Sequence, residues 1–525
     1  MVGLIDECFD KFPVNSRIKV NNNKGTVRYV GEVAGYNGSW LGIEWDDSKR
    51  GKHDGVVDGM RYFKTKHLTA GSMIRPGKVD DFETVEAAAK KKYLDNDPNS
   101  FDSKLLKETQ NHMHASIFEI VGMEKIARKQ SKFEELFDIS VAESNVNSSG
   151  DLSSFQALST LNLSSTLIWN WQTVGQILGQ VPTLAYLNLS ENRIQVPTAQ
   201  EICDLEPSFR NLKKLNLRNC GLDKWDDVKK TAELFPNIEM LGLQDNDISE
   251  LTPVDCMTIF KNLKELHLHR TKLSNFSEIL KLGNIKTLES LFLMENNISE
   301  IVLPECRHDE KLKIFPNLEI LNLYFNPLKD SVQLFNELDK LPSLKNLNKS
   351  PEFSSGFEEM FSLAVGLITG LEVLNKVKLT SDQKRGAQID IWKKFATNWT
   401  QCERDILERE IFCRKVRTYE KLVEKFGSPI DFAIRPKKKA SNLITIKIQN
   451  KLTDEIWEKR FPKSLSVQSL MGLIIKRFNL QGLEPKLSYV DAKNPKLIVD
   501  LDNCSKSLDF YSVQDGDFLV FSSVI

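Results

Sequence analysis

The sequence lacks the marks of a secreted, membrane-spanning or disulfide-bonded protein. Its eight cysteines are scattered along 525 residues, and no two have the C-x-x-C spacing that is typical of zinc knuckles and redox motifs. No run approaches the ~20 apolar residues that span a bilayer, and the acidic start lacks the basic region and apolar core of a signal peptide. We therefore predict a cytoplasmic protein with no membrane partner.

Neither sign of charge is in excess, and no catalytic signature is present. Lys and Arg number 71 against 72 Asp and Glu, which gives no indication of a nucleic-acid partner. The sequence has no G-x-x-x-x-G-K-[ST] phosphate loop, and no segment supplies a nucleophile with a base or a set of metal ligands. We predict that the chain is not an enzyme, and that it has no cofactor, catalytic residue or metal site.

The clearest pattern that is present is a repeat with the template L-x-x-L-x-L-x-x-N-x-I, in which isoleucine can replace the first leucine. Strong copies lie 25 to 30 residues apart and begin at Leu184, Leu212, Ile238, Leu263, Leu288 and Leu318. Weaker copies begin at Leu136, Leu158, Leu344 and Leu371. This is the leucine-rich repeat, in which each L-x-L pair forms a short strand of a solenoid. We expect its Asn, as in Asn192, Asn246, Asn296 and Asn326, to bind backbone groups where the chain leaves the strand.

The repeat also predicts which side chains the solenoid displays on its concave sheet. Side chains alternate between the faces of a strand, and the outward set includes Tyr186, Met240, His267, Phe292, Met294 and Tyr324. A contiguous apolar patch usually binds a partner protein, although the C-terminal helices could instead cover it. His267 and His269 suggest a metal pair, but two ligands without a third and fourth do not make a zinc site.

Glycines recur near the N-terminus between short runs of β-forming residues, at positions 25, 31, 35, 38, 42, 51, 55 and 59. Because glycine permits tight turns and close backbone approach, this segment predicts a small, strongly bent, SH3-like β-barrel. The runs WLGIEW from Trp40, GKHDG from Gly51 and RYF from Arg61 resemble the CAP-Gly domain family over residues 14–80.

That resemblance implies binding of acidic C-terminal tails that end in an aromatic residue, above all the tail of α-tubulin. The residues that it assigns to tail binding are Trp40, Gly51, Lys52, His53, Asp54, Gly55, Met73 and Arg75. The basic side chains among them can meet carboxylates, the apolar ones can line a pocket, and loop amides can hold the terminal carboxylate. Two positions depart from the family pattern: His53 replaces an Asn, and Met73 replaces a residue that is often aromatic.

The last part of the chain resembles the ubiquitin-like β-grasp. The strand-like runs LITIKIQ and EIWEKRF precede a stretch with helical spacing from Val467 to Phe478, for which Ser464 or Ser466 is the expected N-cap. The runs KLSYV and FLVF follow. The predicted order is therefore β-β-α-β-β.

These patterns predict a multidomain α/β protein. We expect a CAP-Gly domain over residues 1–80, a charged helical linker over 81–131, leucine-rich repeats over 132–375, a helical cap and basic linker over 376–439, and a ubiquitin-like domain over 440–525. Residues 76–131 would tether the barrel near the repeats and raise the effective concentration of one binding site at the other.

In that order the modules resemble the tubulin-folding cofactor E family over nearly the whole chain. The resemblance implies a cytoplasmic, cytoskeleton-associated chaperone that captures α-tubulin by its acidic tail and its body. Such a protein would cooperate with other tubulin-folding cofactors in assembly or dissociation of the α/β heterodimer. One alternative is a microtubule-end regulator. Another is a ubiquitin-pathway adaptor whose last domain binds proteasome or ubiquitin receptors.

Overall fold

The structure, a computed structural model, divides into two compact units at the bond between Pro429 and Ile430. It describes residues 9–94, 133–255, 258–351, 356–403, 405–433, 443–451, 453–480, 484–491 and 494–524. Among these residues, no helix has the length and apolar character to cross a membrane. The predicted multidomain α/β fold class is confirmed, with a β-barrel, a leucine-rich-repeat solenoid and a β-grasp.

The N-terminal barrel is built on an antiparallel sheet in the order β1-β2-β3-β6. Its strands are β1 (Arg17–Val20), β2 (Asn23–Val33), β3 (Tyr36–Trp45), the hairpin of β4 (Val56–Val57) and β5 (Met60–Arg61), and β6 (Gly71–Ile74), with a 3-10 turn at Pro76–Lys78. Because side chains alternate between the two faces of a strand, Ile18, Val27, Leu41 and Ile43 point into one core, where each is fully buried.

The solenoid carries an eleven-stranded sheet that is parallel except at its last pair. After a 3-10 turn at Phe133–Glu135, its strands are β8 (Asp138–Ser140), β10 (Thr160–Asn162), β11 (Tyr186–Asn188), β12 (Lys214–Asn216), β13 (Met240–Gly242), β14 (Glu265–His267), β15 (Ser290–Phe292), β16 (Ile320–Asn322), β17 (Asn346–Asn348), β18 (Val373–Leu374) and β19 (Val377–Lys378). The central leucines pair in register from Leu161 to Leu374. Stacking neighbours therefore buries one continuous row of leucines, as the repeat predicts.

The predicted role of the repeat asparagines is confirmed. Asn246 is buried, and its Oδ1 accepts three backbone N–H groups of the preceding repeat, those of Cys220, Gly221 and Leu222, at 3.0–3.1 Å. Its Nδ2 donates to the carbonyls of Leu217 and Leu243 at 2.9 and 3.0 Å. Donations by Asn192, Asn296 and Asn326 follow the same pattern. Each side chain thus joins its own turn to the previous one.

Helices complete the first unit. They are α1 (Val85–Leu94), α2 (Trp171–Gln180), α3 (Ala199–Phe209), α4 (Trp225–Ala232), α5 (Phe276–Leu280), α6 (Val332–Asp339), α7 (Gly356–Leu367), α8 (Ser381–Lys394), α9 (Ala396–Cys402), α10 (Ile406–Lys415) and α11 (Tyr419–Phe426). Helices α2 to α6 lie between successive strands of the solenoid, and α8 to α11 lie within the segment predicted as a helical cap, residues 376–439. Capping boxes begin α3 at Thr198 and α8 at Thr380, which satisfies amides of the first turn.

The segment expected to be a free linker is partly built into the solenoid. β7 (Glu83–Thr84) pairs in parallel with β9 (Val146–Ser148), and α1 follows it directly. In α1, Tyr93 Oη accepts the amide of Ser140 at 2.9 Å and Lys92 Nζ donates to the Ser140 carbonyl at 2.7 Å. Residues 83–94 therefore cap the first strand of the repeats. The remainder of the predicted linker, residues 95–131, lies outside the described residues.

The barrel is also fixed to the repeats by side chains. Lys24 Nζ donates to the Ser165 hydroxyl at 2.7 Å and to the Ser165 carbonyl, and Lys66 lies 3.8 Å from Asp223. Burial lowers the pKa of Lys24 to about 8, with a smaller contribution from Arg17. The expectation of a barrel tethered by residues 76–131 thus has to be replaced by a barrel docked on the repeats.

The second unit is the β-grasp. It contains α12 (Ile430–Ala433), β20 (Leu443–Asn450), β21 (Ile456–Pro462), α13 (Val467–Arg477), β22 (Glu484–Asp491), β23 (Asn494–Asp500) and β24 (Phe518–Val524). Its sheet has the order β21-β20-β24-β22-β23, and Ser466 is the N-cap of α13. The basic linker around residues 434–439 lies outside the described residues.

The predicted β-β-α-β-β order was wrong by one strand, because it omitted β23. This strand contains Pro495, which cannot donate to a ladder, and the sheet accommodates it at an edge. A proline inside a short run weakens the strand signal in the sequence, although an edge strand tolerates it.

Candidate functional site: a peptide groove and a concave sheet

The residues predicted to bind a peptide tail come together around β6. Gly42 on β3 pairs with Met73, and His53 forms a bridge with Gly71. The guanidinium carbon of Arg75 lies 3.8 Å from the centroid of the Trp40 ring, within the range of a cation–π contact. We term the surface formed by Trp40, residues 51–55, Met73 and Arg75 the tail groove.

His53, which stands where the CAP-Gly pattern has an Asn, accepts a hydrogen bond from the loop backbone. Its Nδ1 accepts the amide of Gly55 at 3.0 Å, which assigns the ring proton of the neutral form to Nε2. Burial lowers the pKa of His53, opposed in part by Asp54. A side-chain amide oxygen would accept the same N–H, so the imidazole replaces the acceptor function of an Asn and keeps one outward donor.

Asp54 holds the loop through one of its carboxylate oxygens. Its Oδ2 accepts Arg61 Nη2 at 2.8 Å, and Arg61 Nη1 also donates to the Phe63 carbonyl at 3.2 Å. The hydrogen bond from Arg61 lowers the pKa of Asp54. Arg61 is therefore a positioning residue that tail-binding assignments from the sequence did not include.

Two glycines let the same loop lie directly against the barrel. Gly55 has φ +104°, and a Cβ there would lie 2.2 Å from the Phe63 carbonyl oxygen. A Cβ on Gly51 would lie 2.5 Å from the backbone of Ala70 and Gly71. Any other residue at either position would displace the loop from Phe63 or β6.

The loop amides are engaged inside the barrel. The amides of Lys52 and His53 donate to the Gly71 carbonyl at 2.8 and 3.3 Å, and that of Gly55 donates to His53. The expectation that loop amides hold a terminal carboxylate is not supported for these three groups. Lys52, which is exposed, and Arg75, whose Nη1 also donates to the Ser39 carbonyl at 3.3 Å, offer cationic side chains to carboxylates.

The concave sheet carries the second set of predicted residues. Tyr186, Met240, His267, Phe292, Met294 and Tyr324 are each partly exposed. The rings of His267 and Phe292 stack at a centroid distance of 4.3 Å and an interplanar angle of 10°. This contact between neighbouring strands covers part of each ring, so the patch is flatter and less exposed than isolated side chains would be.

The two histidines of this sheet differ in their surroundings: His267 has a carboxylate partner, and His269 is partly buried. His267 Nε2 lies 2.6 Å from Glu265 Oε1, which gives the ring a carboxylate partner on its own strand. Burial, and next the neighbouring His267, lower the pKa of His269 to about 4. His269 is therefore neutral at physiological pH, and the pair acts as part of the surface.

The C-terminal helices attach to the solenoid away from these side chains. Asn336 on α6 hydrogen-bonds to the Lys415 carbonyl and to the Arg417 amide, and His308 lies 2.9 Å from Glu420. Both anchor points lie in segments that connect strands, outside the sheet itself. These contacts favour an accessible concave sheet over the alternative in which the helices cover it.

Phe325 extends the apolar part of the sheet and was missed in the sequence. It has φ +57° and is 69% exposed, and its ring lies 5.8 Å from that of Tyr324. The equivalent repeat position holds Glu191, Asp245, Arg270 and Glu295, all polar. An exposed aromatic residue in a left-handed turn has a strain cost without a packing gain, and this exception within the repeat was the available signal.

Comparison with known proteins decides the family. Residues 14–79 match the model of the CAP-Gly domain, and residues 443–520 match that of the ubiquitin-like domain. Tubulin-specific chaperone E of Drosophila melanogaster is 54% identical over 519 residues, which cover 98% of this chain and 99% of the relative. The chain belongs to the tubulin-specific chaperone E family.

Other members of the tubulin-specific chaperone E family align along the same length. The human protein is 31% identical over 528 residues, which cover 97% of this chain and 98% of the human one. The solved C-terminal ubiquitin-like domain of mouse tubulin-specific chaperone e is 32% identical, covers 17% of this chain and 96% of that domain, and has a TM-score of 0.15. The full-length relatives confirm the family resemblance drawn from the order of modules.

Proposed function

We propose that this chain captures α-tubulin by two surfaces and takes part in assembly or dissociation of the α/β heterodimer. The tail groove receives the acidic C-terminal tail, and the concave sheet with Phe325 contacts the body. The observation that carries the proposal is the convergence of two cations, Lys52 and Arg75, with Trp40 and Met73 around one strand. Other tubulin-folding cofactors in the cytoplasm are the expected further partners.

The docked barrel changes how the two surfaces cooperate. Lys24 and the β7–β9 pair fix the barrel to the repeats, so a flexible linker is not the source of reach. An acidic tail is itself extended and mobile, and its span supplies the reach between groove and sheet. Binding then shifts the heterodimer equilibrium only by the difference in affinity of the sheet for free and paired α-tubulin.

The test is to mix the full chain with α/β-tubulin without ATP and to follow heterodimer by native mass spectrometry. We expect stoichiometric dissociation, alone or with another tubulin-folding cofactor, and a loss of binding when the acidic tails are removed by limited proteolysis. Trp40→Ala should weaken tail binding by about 2 kcal/mol or more as a central aromatic anchor. Lys52→Ala should cost only ~0.2–1 kcal/mol as an exposed charge contact.

A matched pair of variants separates the two surfaces. Phe292→Asp with Tyr324→Asp should leave tail-peptide affinity unchanged and lower retention of whole tubulin, whereas Trp40→Ala should lower both. Lys49→Ala, an exposed lysine outside the tail groove, is the control. Tail-independent binding to polymerised microtubules would favour a microtubule-end regulator, and selective retention of proteasome subunits would favour the ubiquitin-pathway adaptor.

A further inference from the structure

Three potential metal ligands from distant parts of the sequence meet behind the repeats. His308 comes from the connection between β15 and β16, Cys413 from α10, and Glu420 from α11. One ligand atom from each lies within 4.8 Å of the other two. Ligands on a tetrahedral zinc ion with bonds of 2.0–2.3 Å lie about 3.3–3.8 Å apart, so small side-chain movements would bring all three to bonding distance.

The surroundings match those of metal-bound histidines. His308 Nε2 lies 2.9 Å from Glu420 Oε2, and Nδ1 is a buried atom with no hydrogen-bond partner among the described residues that lies 3.6 Å from Glu410 Oε2. A ligating histidine normally directs its second ring nitrogen at a carboxylate, which fixes the ring and raises its basicity. Arg409 binds the other oxygen of Glu420 and leaves Oε2 directed at His308.

Helix α10 directs its one fully buried side chain into this cluster. Of its ten residues, Cys413 is the one that is buried, at 1% exposure. Ile406 and Leu407 on the same helix are 89% and 70% exposed. Phe412 packs against the rings of Phe395, Trp399 and Tyr419 at centroid distances of 5.2–6.3 Å, and the next residue, Cys413, is the one side chain of α10 that is fully buried.

We propose that His308, Cys413 and Glu420 bind a zinc ion that fastens α10 and α11 to the repeats. Zinc accepts this mixture of imidazole, thiolate and carboxylate ligands, and a water molecule can complete four-coordination. Glu410 is a positioning residue for the imidazole. Zinc, Cys413 thiolate and Glu420 carboxylate sum to zero charge, and Glu410 and Arg409 offset each other. The zinc-bound site therefore carries no net charge.

Without metal, the same groups are joined by hydrogen bonds, because one oxygen of Glu420 contacts His308 and the other contacts Arg409. Burial, and next the negative charge of Glu420, raise the pKa of Cys413 to about 12, so the thiol is protonated in that form. Zinc binding would then release the thiol proton to solvent as the sulfur–zinc bond forms. The two forms are distinguishable because only one contains a metal–sulfur bond.

The experiment measures zinc in the full chain purified without chelator from zinc-supplemented cells. We expect about one zinc ion per chain in the parent, as a structural site requires, and a loss of at least tenfold in Cys413→Ser. Cys203→Ser is the matched control, because it also removes one of eight cysteines but at an exposed position. Equal zinc in parent and Cys413→Ser, or equal losses in both cysteine variants, would overturn the proposal.

A second measurement keeps the test informative if Cys413→Ser misfolds. Chelator-treated parent that remains folded by circular dichroism is titrated with Co²⁺, and a thiolate-to-cobalt charge-transfer band with tetrahedral visible bands is expected. Glu410→Gln should keep that spectrum but weaken zinc affinity by roughly 10- to 100-fold, as loss of an outer carboxylate does. A folded parent that gives no thiolate band with Co²⁺ would show that the cluster is a hydrogen-bonded network alone.

Discussion

The number of backbone groups that each repeat asparagine hydrogen-bonds predicts how much stability the protein loses when that asparagine is replaced by alanine. Asn246→Ala removes the acceptor for three amides and the donor for two carbonyls in a buried turn. Leaving a buried polar group unpaired costs about 1–3 kcal/mol, and these losses are not additive. We expect the two carbonyls to find other donors. The three unpaired amides then determine the loss in free energy of unfolding, which we expect to be about 3–5 kcal/mol.

Asn192→Ala is the comparison within the same array. Asn192 is equally buried, but its Oδ1 accepts only the Thr166 hydroxyl among the described contacts, and that hydroxyl also donates to the Leu163 carbonyl. The Leu189 carbonyl likewise keeps a contact from Cys220 Sγ. No amide is orphaned, so the expected loss is about 1–2 kcal/mol.

Urea denaturation of the full chain followed by far-ultraviolet circular dichroism measures both variants. The main transition reports the repeats, and the difference in free energy of unfolding is taken at a common slope. Asn246→Asp is the control, since it keeps an acceptor for the three amides and should fall between the parent and Asn246→Ala. If Asn192→Ala proves as costly as Asn246→Ala, the count of satisfied amides does not set the stability of the turn.

Three further results are expected. Arg61→Gln should weaken tail-peptide binding measurably, by up to about fivefold, in calorimetry with the barrel still folded, since an exposed ion pair contributes little; unchanged affinity would remove Arg61 from its positioning role. The pKa of His53 is lower in the folded than in the unfolded chain, so the unfolded chain takes up the proton first and the free energy of unfolding falls as pH drops below about 6.5. His53→Asn should therefore reduce the change in melting temperature between pH 7 and 5.5. A pH profile identical to that of the parent would contradict this. Lys24→Ala combined with Lys66→Ala should loosen the barrel, which the β7–β9 pair still joins to the repeats, and slightly raise the radius of gyration in X-ray scattering, whereas Lys49→Ala should not; equal radii for both chains would mean that these two lysines do not hold the junction.

Much of the fold could be predicted because the repeat and the glycine motif are patterns of residues that lie close together in the sequence. Each leucine of the row from Leu161 to Leu374 follows from a period of two within a strand and the spacing between copies. The tail groove residues follow from one short motif. In contrast, β23 was missed because Pro495 weakens its local signal, and only the sheet identifies it as an edge strand.

The features that escaped the sequence depend on contacts between distant residues. The internal use of the Lys52 and Gly55 amides depends on Gly71 and His53 and cannot be read from the motif. Docking of the barrel depends on Lys24 meeting Ser165, 141 residues away. His308 and Cys413 have no recognisable ligand spacing, since the fold of the repeats and the return of α10 bring them together.

The side chains that cover β8 have a consequence for self-association. A sheet of eleven strands, parallel except at its last pair, offers two edges to which another chain could add and so propagate a fibre. At one edge, Tyr93 and Lys92 occupy the amide and the carbonyl of Ser140, and at the other the sheet ends in the antiparallel strand β19, only two residues long. The solenoid can therefore expose a long sheet without acting as a template for its own polymerisation.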